Sequence, residues 1–177
     1  MTTGNNDILA AIKKNRETGF RQLVAGYKEP VYWHIRRLVV SHDDAQDATQ
    51  ETFVRIFRSL DQYGGEHSFT AWIYRIATNE ALRLLERRSR NLFVDLDEAS
   101  GHIIADDYVD YSDVEAVKLQ EAIRTLPSKQ QAVFNMRYYD EMSYDDIAAA
   151  LESSAGAVKT NYHLAKEKIV KFMKQND

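Results

Sequence analysis

The 177-residue sequence predicts an all-α protein: two small helical domains joined by an acidic linker, the second built around a helix-turn-helix. Three observations carry that prediction. Gly and Pro number only seven and two, whereas a sandwich or barrel needs many tight turns. Apolar residues make up 44% of the chain and recur at three- and four-residue spacing, the period of a helix with one buried face. Residues 94–114 contain seven Asp or Glu and no Lys or Arg, interrupted by Gly101 and without a helical apolar period. A segment so charged reads as a linker, which sets the domains at 1–93 and 115–177. A surface loop inside one domain is the alternative.

The elements follow in chain order. Residues 16–28 predict a helix, and Pro30 opens the next at its first turn, where the missing N–H is not needed; that helix carries Val31, Ile35, Leu38 and Val39. Ser41 and Asp43 offer N-caps for a helix over about 44–60. Its buried stripe is Phe53, Ile56, Phe57 and Leu60, with Asp47, Glu51, Val54, Arg55 and Arg58 on the other side. Gly64 and Gly65 break the chain before a helix over 69–90 that buries Phe69, Ile73, Ile76, Ala77 and Leu84.

In the second domain a helix is predicted over 114–125, and Pro127–Ser128 start another with Val133 and Met136. Ser143 and Asp146 form a capping signal before Ile147, Ala148 and Leu151. After a turn at Glu152–Ser153, Ser154 caps a last helix with Val158, Tyr162, Ala165 and Ile169 inward. Helix, tight turn and helix, with small Ala148 at the close approach, is the helix-turn-helix pattern.

Several function classes drop out. With no cysteine there is no disulfide framework, thiolate metal site or thiol nucleophile. The five histidines are scattered. No metalloprotease, phosphate-loop, dinucleotide or nucleophile-elbow motif occurs. The acidic pairs Asp43–Asp44 and Asp145–Asp146 sit at helix starts, where negative charge is favoured. The reading is therefore no catalytic residue, no metal, no cofactor and no small-molecule substrate. No apolar run is long enough for a membrane helix and no signal-peptide core is visible, so a cytoplasmic protein is expected.

Net charge is −4, yet its distribution favours nucleic acid. Residues 1–93 net +3, residues 115–177 are neutral, and the linker alone carries −7; a local basic face matters to DNA more than the total. Residues 155–177 net +3. The last helix turns Lys159, Thr160, Asn161, His163, Leu164 and Lys166 away from its apolar stripe, the residue types that read bases and hold phosphates. An ordinary amphipathic helix with a lysine-rich solvated face fits the same pattern. On the 69–90 helix, Arg75, Asn79 and Arg83 follow Trp72, next to a glycine loop bearing His67. Cations interleaved with aromatics suit single-stranded DNA, whose phosphates need charge and whose bases stack on rings. A plain core role for Trp72 stays open.

Five segments together resemble one family: DAQDATQETFVRIFR at 44–58, FTAWIYRIATN at 69–79, LPSKQQAVF at 126–134, YDDIAAAL at 144–151 and GAVKTNYHLAK at 156–166. In this order and spacing the chain resembles the extracytoplasmic-function (ECF) sigma factors, bacterial RNA polymerase initiation factors. The resemblance implies that the first unit is sigma domain 2 and the second sigma domain 4. It implies that Asp47, Gln50, Glu51, Val54 and Arg55 dock on the polymerase clamp. It implies that His67, Trp72, Arg75, Asn79 and Arg83 serve the −10 element, and that the last helix reads the −35 element. Implied partners are core RNA polymerase, promoter DNA and an anti-sigma factor, which can hold the protein near the membrane. Many members have Arg where this chain has Leu164; leucine cannot clamp phosphate or guanine but can meet a thymine methyl. A stand-alone helix-turn-helix regulator and a helical protein-binding adaptor are the alternatives. Tight duplex binding without polymerase would mark the first, and the second leaves the basic faces without a role.

Overall fold

The computed structural model describes residues 4–39, 41–92 and 112–176. The linker expected at 94–114 lies almost wholly outside the described residues. The fold is all-α: among the described residues there are eight α-helices and no strand. Helices α1 (Asn5–Lys14), α2 (Arg16–Val39), α3 (His42–Ser59) and α4 (Phe69–Leu92) form one domain; α5 (Val114–Arg124), α6 (Ser128–Tyr138), α7 (Tyr144–Ala150) and α8 (Ala155–Gln175) form the other. Among the described residues no helix is long and apolar enough to cross a membrane.

The first core gathers one stripe from each helix: Ile8, Leu23, Ile35, Ile56 and Ile73 are almost wholly buried. Thr49 and Thr52 enter this core because each hydroxyl donates to the carbonyl one turn back, Ala45 O at 2.6 Å and Ala48 O at 2.7 Å, so no polar atom is left bare. Ser41 caps α3, its hydroxyl accepting from the Asp44 N–H. In the second domain the caps are Asp113, Ser143 and Ser154. Val158, Ala165 and Ile169 form the inward stripe of α8.

Three expectations are corrected. Pro30 does not open a helix; it lies inside the continuous α2. A proline ring displaces the carbonyl four residues back and leaves it without its donor. That carbonyl belongs to Gly26, and Pro30 is exposed, so the bond is lost on the wet side while both flanks stay anchored in the core. Helix α1 was not foreseen, and of its residues Ile8 alone is fully buried. Gly19 lets α1 approach, since a Cβ there would lie 2.3 Å from the Ile12 backbone nitrogen. Phe57 is not core: it is 39% exposed, flanked by the Phe20 ring at 4.9 Å and the Arg16 guanidinium.

The two domains pack directly, α7 on α4 and α6 on α2. Ala132 of α6 joins the first core, and Tyr74 of α4 joins a cluster with Val133, Met136 and Ile147. Between them His34, fully buried, places Nδ1 3.1 Å from Asp140 Oδ2 and Nε2 2.8 Å from Thr78 Oγ1.

Candidate nucleic-acid interfaces

The first candidate surface grows from the start of α4. Phe69 is buried and stacks on Trp72, with centroids 5.7 Å apart and planes at 13°. Tyr63 leans on both rings, 5.1 Å from Phe69 and 5.4 Å from Trp72. Its hydroxyl donates to the His67 carbonyl at 2.7 Å. That bond ties down the glycine loop, where Gly65 takes a φ of +79° that favours glycine. Trp72 is half-buried and lines the groove beside the loop.

Arg75 and Asn79 stand one turn apart on the exposed side of α4. His67, Trp72, Arg75 and Asn79 line one groove of about 410 Å³ together with Tyr63 and Gly64. Arg83 does not join them. It donates to Glu80 at 2.8 Å and lines a separate groove between α3 and α4. Tyr63 is a groove residue the sequence did not single out. Its only signal was an aromatic just before a glycine pair.

The second surface is the outer side of α8. Lys159, Thr160, His163, Leu164 and Lys166 are exposed, and Asn161 is half-buried. Several heads are already oriented. The Thr160 hydroxyl donates to Gly156 O at 3.0 Å. The His163 imidazole lies 3.2 Å from Glu167. Lys166 sits 5.1 Å from the Tyr162 ring centroid and Lys159 5.7 Å from that of Tyr144, contacts that hold cations by the ring quadrupole. Leu164 is 38% exposed, an apolar tip among polar neighbours.

The third surface is α3. Asp47, Gln50, Glu51 and Val54 are exposed. Arg55 is drawn toward Glu51 at 3.4 Å and pairs with Glu80, whose side chain is only 4% exposed. Arg55 and Arg83 therefore share one buried carboxylate, which fixes both guanidinium groups between α3 and α4. Beside them Phe20, Val24, Phe53, Val54 and Phe57 open an apolar groove. Exposed aromatic and aliphatic carbon rimmed by charge is the composition of a protein-docking surface. The groove was missed because Phe57 was read as core.

Among known families, Sigma-70 region 2 matches residues 23–91 and Sigma-70 region 4 matches residues 116–169. The chain is 28% identical over 174 residues to the ECF RNA polymerase sigma factor SigW of Bacillus subtilis, covering 92% of this chain and 93% of that one. It is 30% identical over 173 residues to the ECF RNA polymerase sigma-E factor of Escherichia coli K12, covering 92% and 90%. Among solved structures it is similar to the sigma factor RpoE of Bartonella quintana, crystallised with the anti-sigma factor NepR. The TM-score there is 0.74 at 21% identity, over 88% of this chain and 96% of that one. Two sigma regions in order, on an all-helical fold with a helix-turn-helix, identify the chain as a member of the ECF sigma factors, which direct RNA polymerase to promoters.

Proposed function

We propose that this sigma factor divides its work among the three surfaces. The groove of His67, Trp72, Arg75 and Asn79 captures the melted strand of the −10 element. The outer side of α8 reads the −35 element: Lys159, Thr160, Asn161 and His163 face bases, Leu164 meets a thymine methyl, and Lys166 holds phosphate. The exposed side of α3, with Asp47, Gln50, Glu51, Val54 and Arg55, docks on the polymerase clamp. The domains are residues 1–93 and 115–177. The acidic segment 94–114 joins them.

The observation that carries this reading is the groove at the start of α4, where a half-exposed indole, a guanidinium, an imidazole and a carboxamide converge. Stacking rings beside cations are what an unpaired strand requires, and a carboxamide pairs edge to edge with adenine. Arg83 lies outside the groove in the packed chain; its role is reached after Glu80 releases it. The protein works in the cytoplasm, without catalysis of its own. An anti-sigma factor is a further partner, a reading supported by the complex formed by the Bartonella relative. Asn79→Ala tests the groove: a lost base contact is worth about 1–3 kcal/mol, so open-complex formation falls roughly ten- to a hundredfold. Permanganate footprints of the bubble at wild-type intensity would contradict it.

A further inference from the structure

Three side chains from three helices close a ring of hydrogen bonds behind the first turn of α4. Asn5 of α1 donates its Nδ2 to the Thr70 hydroxyl at 3.0 Å. The Tyr27 hydroxyl of α2 donates to Asn5 Oδ1 at 2.6 Å and lies 2.8 Å from the Thr70 oxygen. A phenol carries one proton. Asn5 takes the Tyr27 proton, so the Thr70 hydroxyl donates to Tyr27, and the three bonds run head to tail in one direction. The Asn5 carboxamide uses both its ends and has one orientation.

All three side chains are half-buried. Apolar groups of the same shape fill such a space at little cost in stability. What a polar ring adds is direction, because hydrogen bonds fix angles that hydrophobic contact leaves free.

The place of the ring says what is directed. Thr70 is the second residue of α4. At 3.6 residues per turn, Trp72, Arg75 and Asn79 stand roughly 140–200° around the helix from it. The ring therefore grips the back of α4, while the strand groove opens on the front. The Ser68 hydroxyl accepts from the Ala71 N–H at 3.1 Å and donates to Asp146 at 2.7 Å. It caps the helix start, but a cap sets the first turn and not the rotation of the helix about its axis. Tyr27 extends the grip to the aromatic rings. Its ring meets Phe69 at 6.4 Å with planes at 88°, and Phe69 in turn stacks on Trp72. Arg75 has Glu152 as a charge partner, whereas Trp72, uncharged, takes the plane of its indole from the rings around it.

We propose that Asn5, Tyr27 and Thr70 are positioning residues of the −10 groove: the ring fixes the rotation of α4 and, through Phe69, the plane on which Trp72 receives a base. This rests on the strand-capture reading of that groove. Helix α1, none of whose described residues lines the groove, thereby takes part in strand capture.

The test uses holoenzyme on a promoter that it opens. Permanganate follows the bubble, and varying the holoenzyme concentration separates initial binding from opening. Asn5→Leu with Tyr27→Phe and Thr70→Val keeps the packing and removes the ring. Opening should slow about tenfold, ~1.4 kcal/mol, at the low end of what one base stacked on an aromatic ring contributes. Initial binding and affinity for core polymerase should hold. Tyr27→Phe alone breaks two of the three bonds and should slow opening by a smaller factor; it carries the test if the triple variant does not fold. Trp72→Ala supplies the second axis. Residues that act through Trp72 lose their effect once the indole is gone, so in that background the triple variant should open no more slowly than Trp72→Ala itself. Opening at the wild-type rate in the folded variants overturns the proposal. Slowing by the same factor with and without the indole, the mark of a general loss of structure, overturns it too. Wild-type opening by Trp72→Ala alone would overturn the groove reading beneath it, and the proposal with it.

Discussion

Single residues show how burial and charge set the behaviour of this chain. Ile35 is fully buried in the first core, so Ile35→Ala should cost about 2–5 kcal/mol in urea denaturation. Tyr74 is 5% exposed; burial first, and the Asp140 carboxylate second, push its phenol well above the ordinary value of 10.0. The charged form is the one excluded, so the folded chain holds this proton more tightly than the unfolded chain. The stabilisation Tyr74 gives is complete below about pH 10 and is lost as pH rises beyond it. An absorbance titration should show one phenol ionising only together with loss of the domain contact. Exposure was legible in the sequence where it followed from helical spacing, as for Asn79, Lys159 and Val54. Arg83 fits less well, because its partner Glu80 is buried by tertiary packing that no local pattern reports. Phe57 was misread for a related reason: its spacing matches a core stripe, yet α2 covers that side of α3 only in part, through Phe20 and Arg16.

At the scale of elements, capping and close approach decide the outcome. Ser143, Ser154 and Ser41 were readable because a cap is local chemistry; each hydroxyl accepts an N–H of the first turn. Ser154→Ala should cost about 1 kcal/mol, measured as a lower urea midpoint for the α7–α8 unit. Gly19→Ala tests the crossing of α1 and α2. In a helix interior this change ordinarily gains up to about 1 kcal/mol, but the new methyl would sit 2.4 Å from the Ile12 Cα. Overpacking of about 1–3 kcal/mol wins, so the variant should be less stable. A more stable variant would show that α1 yields easily. Helix α1 itself was invisible in the sequence because its burial depends on α2 lying beside it, a tertiary fact. Pro30 misled for the converse reason: the local rule stops a helix, while core contacts on both sides continue it.

The whole molecule is two small helical cores held face to face, with a helix-turn-helix whose last helix, α8, carries a modest cationic surface. Specific duplex binders usually neutralise six to ten phosphates, each adding about −0.9 to the salt slope. Helix α8 offers few free cations beside Glu167, so free protein should bind duplex weakly, and polymerase supplies the remaining affinity by tethering both domains to one DNA molecule. Two-domain organisation was legible because the charge break at 94–114 is a compositional signal. The packing of the domains was not, since Asp140, Asp146 and Glu152 look like ordinary solvated acids until their partners across the chain are seen. The most direct test of the central claim is promoter selection by reconstituted holoenzyme from a library randomised at the −10 and −35 positions. The account predicts two enriched elements, absent with core enzyme alone, and a changed −35 preference for Lys159→Ala. Transcripts from unselected templates, with the same sequences recovered with and without this chain, would contradict it.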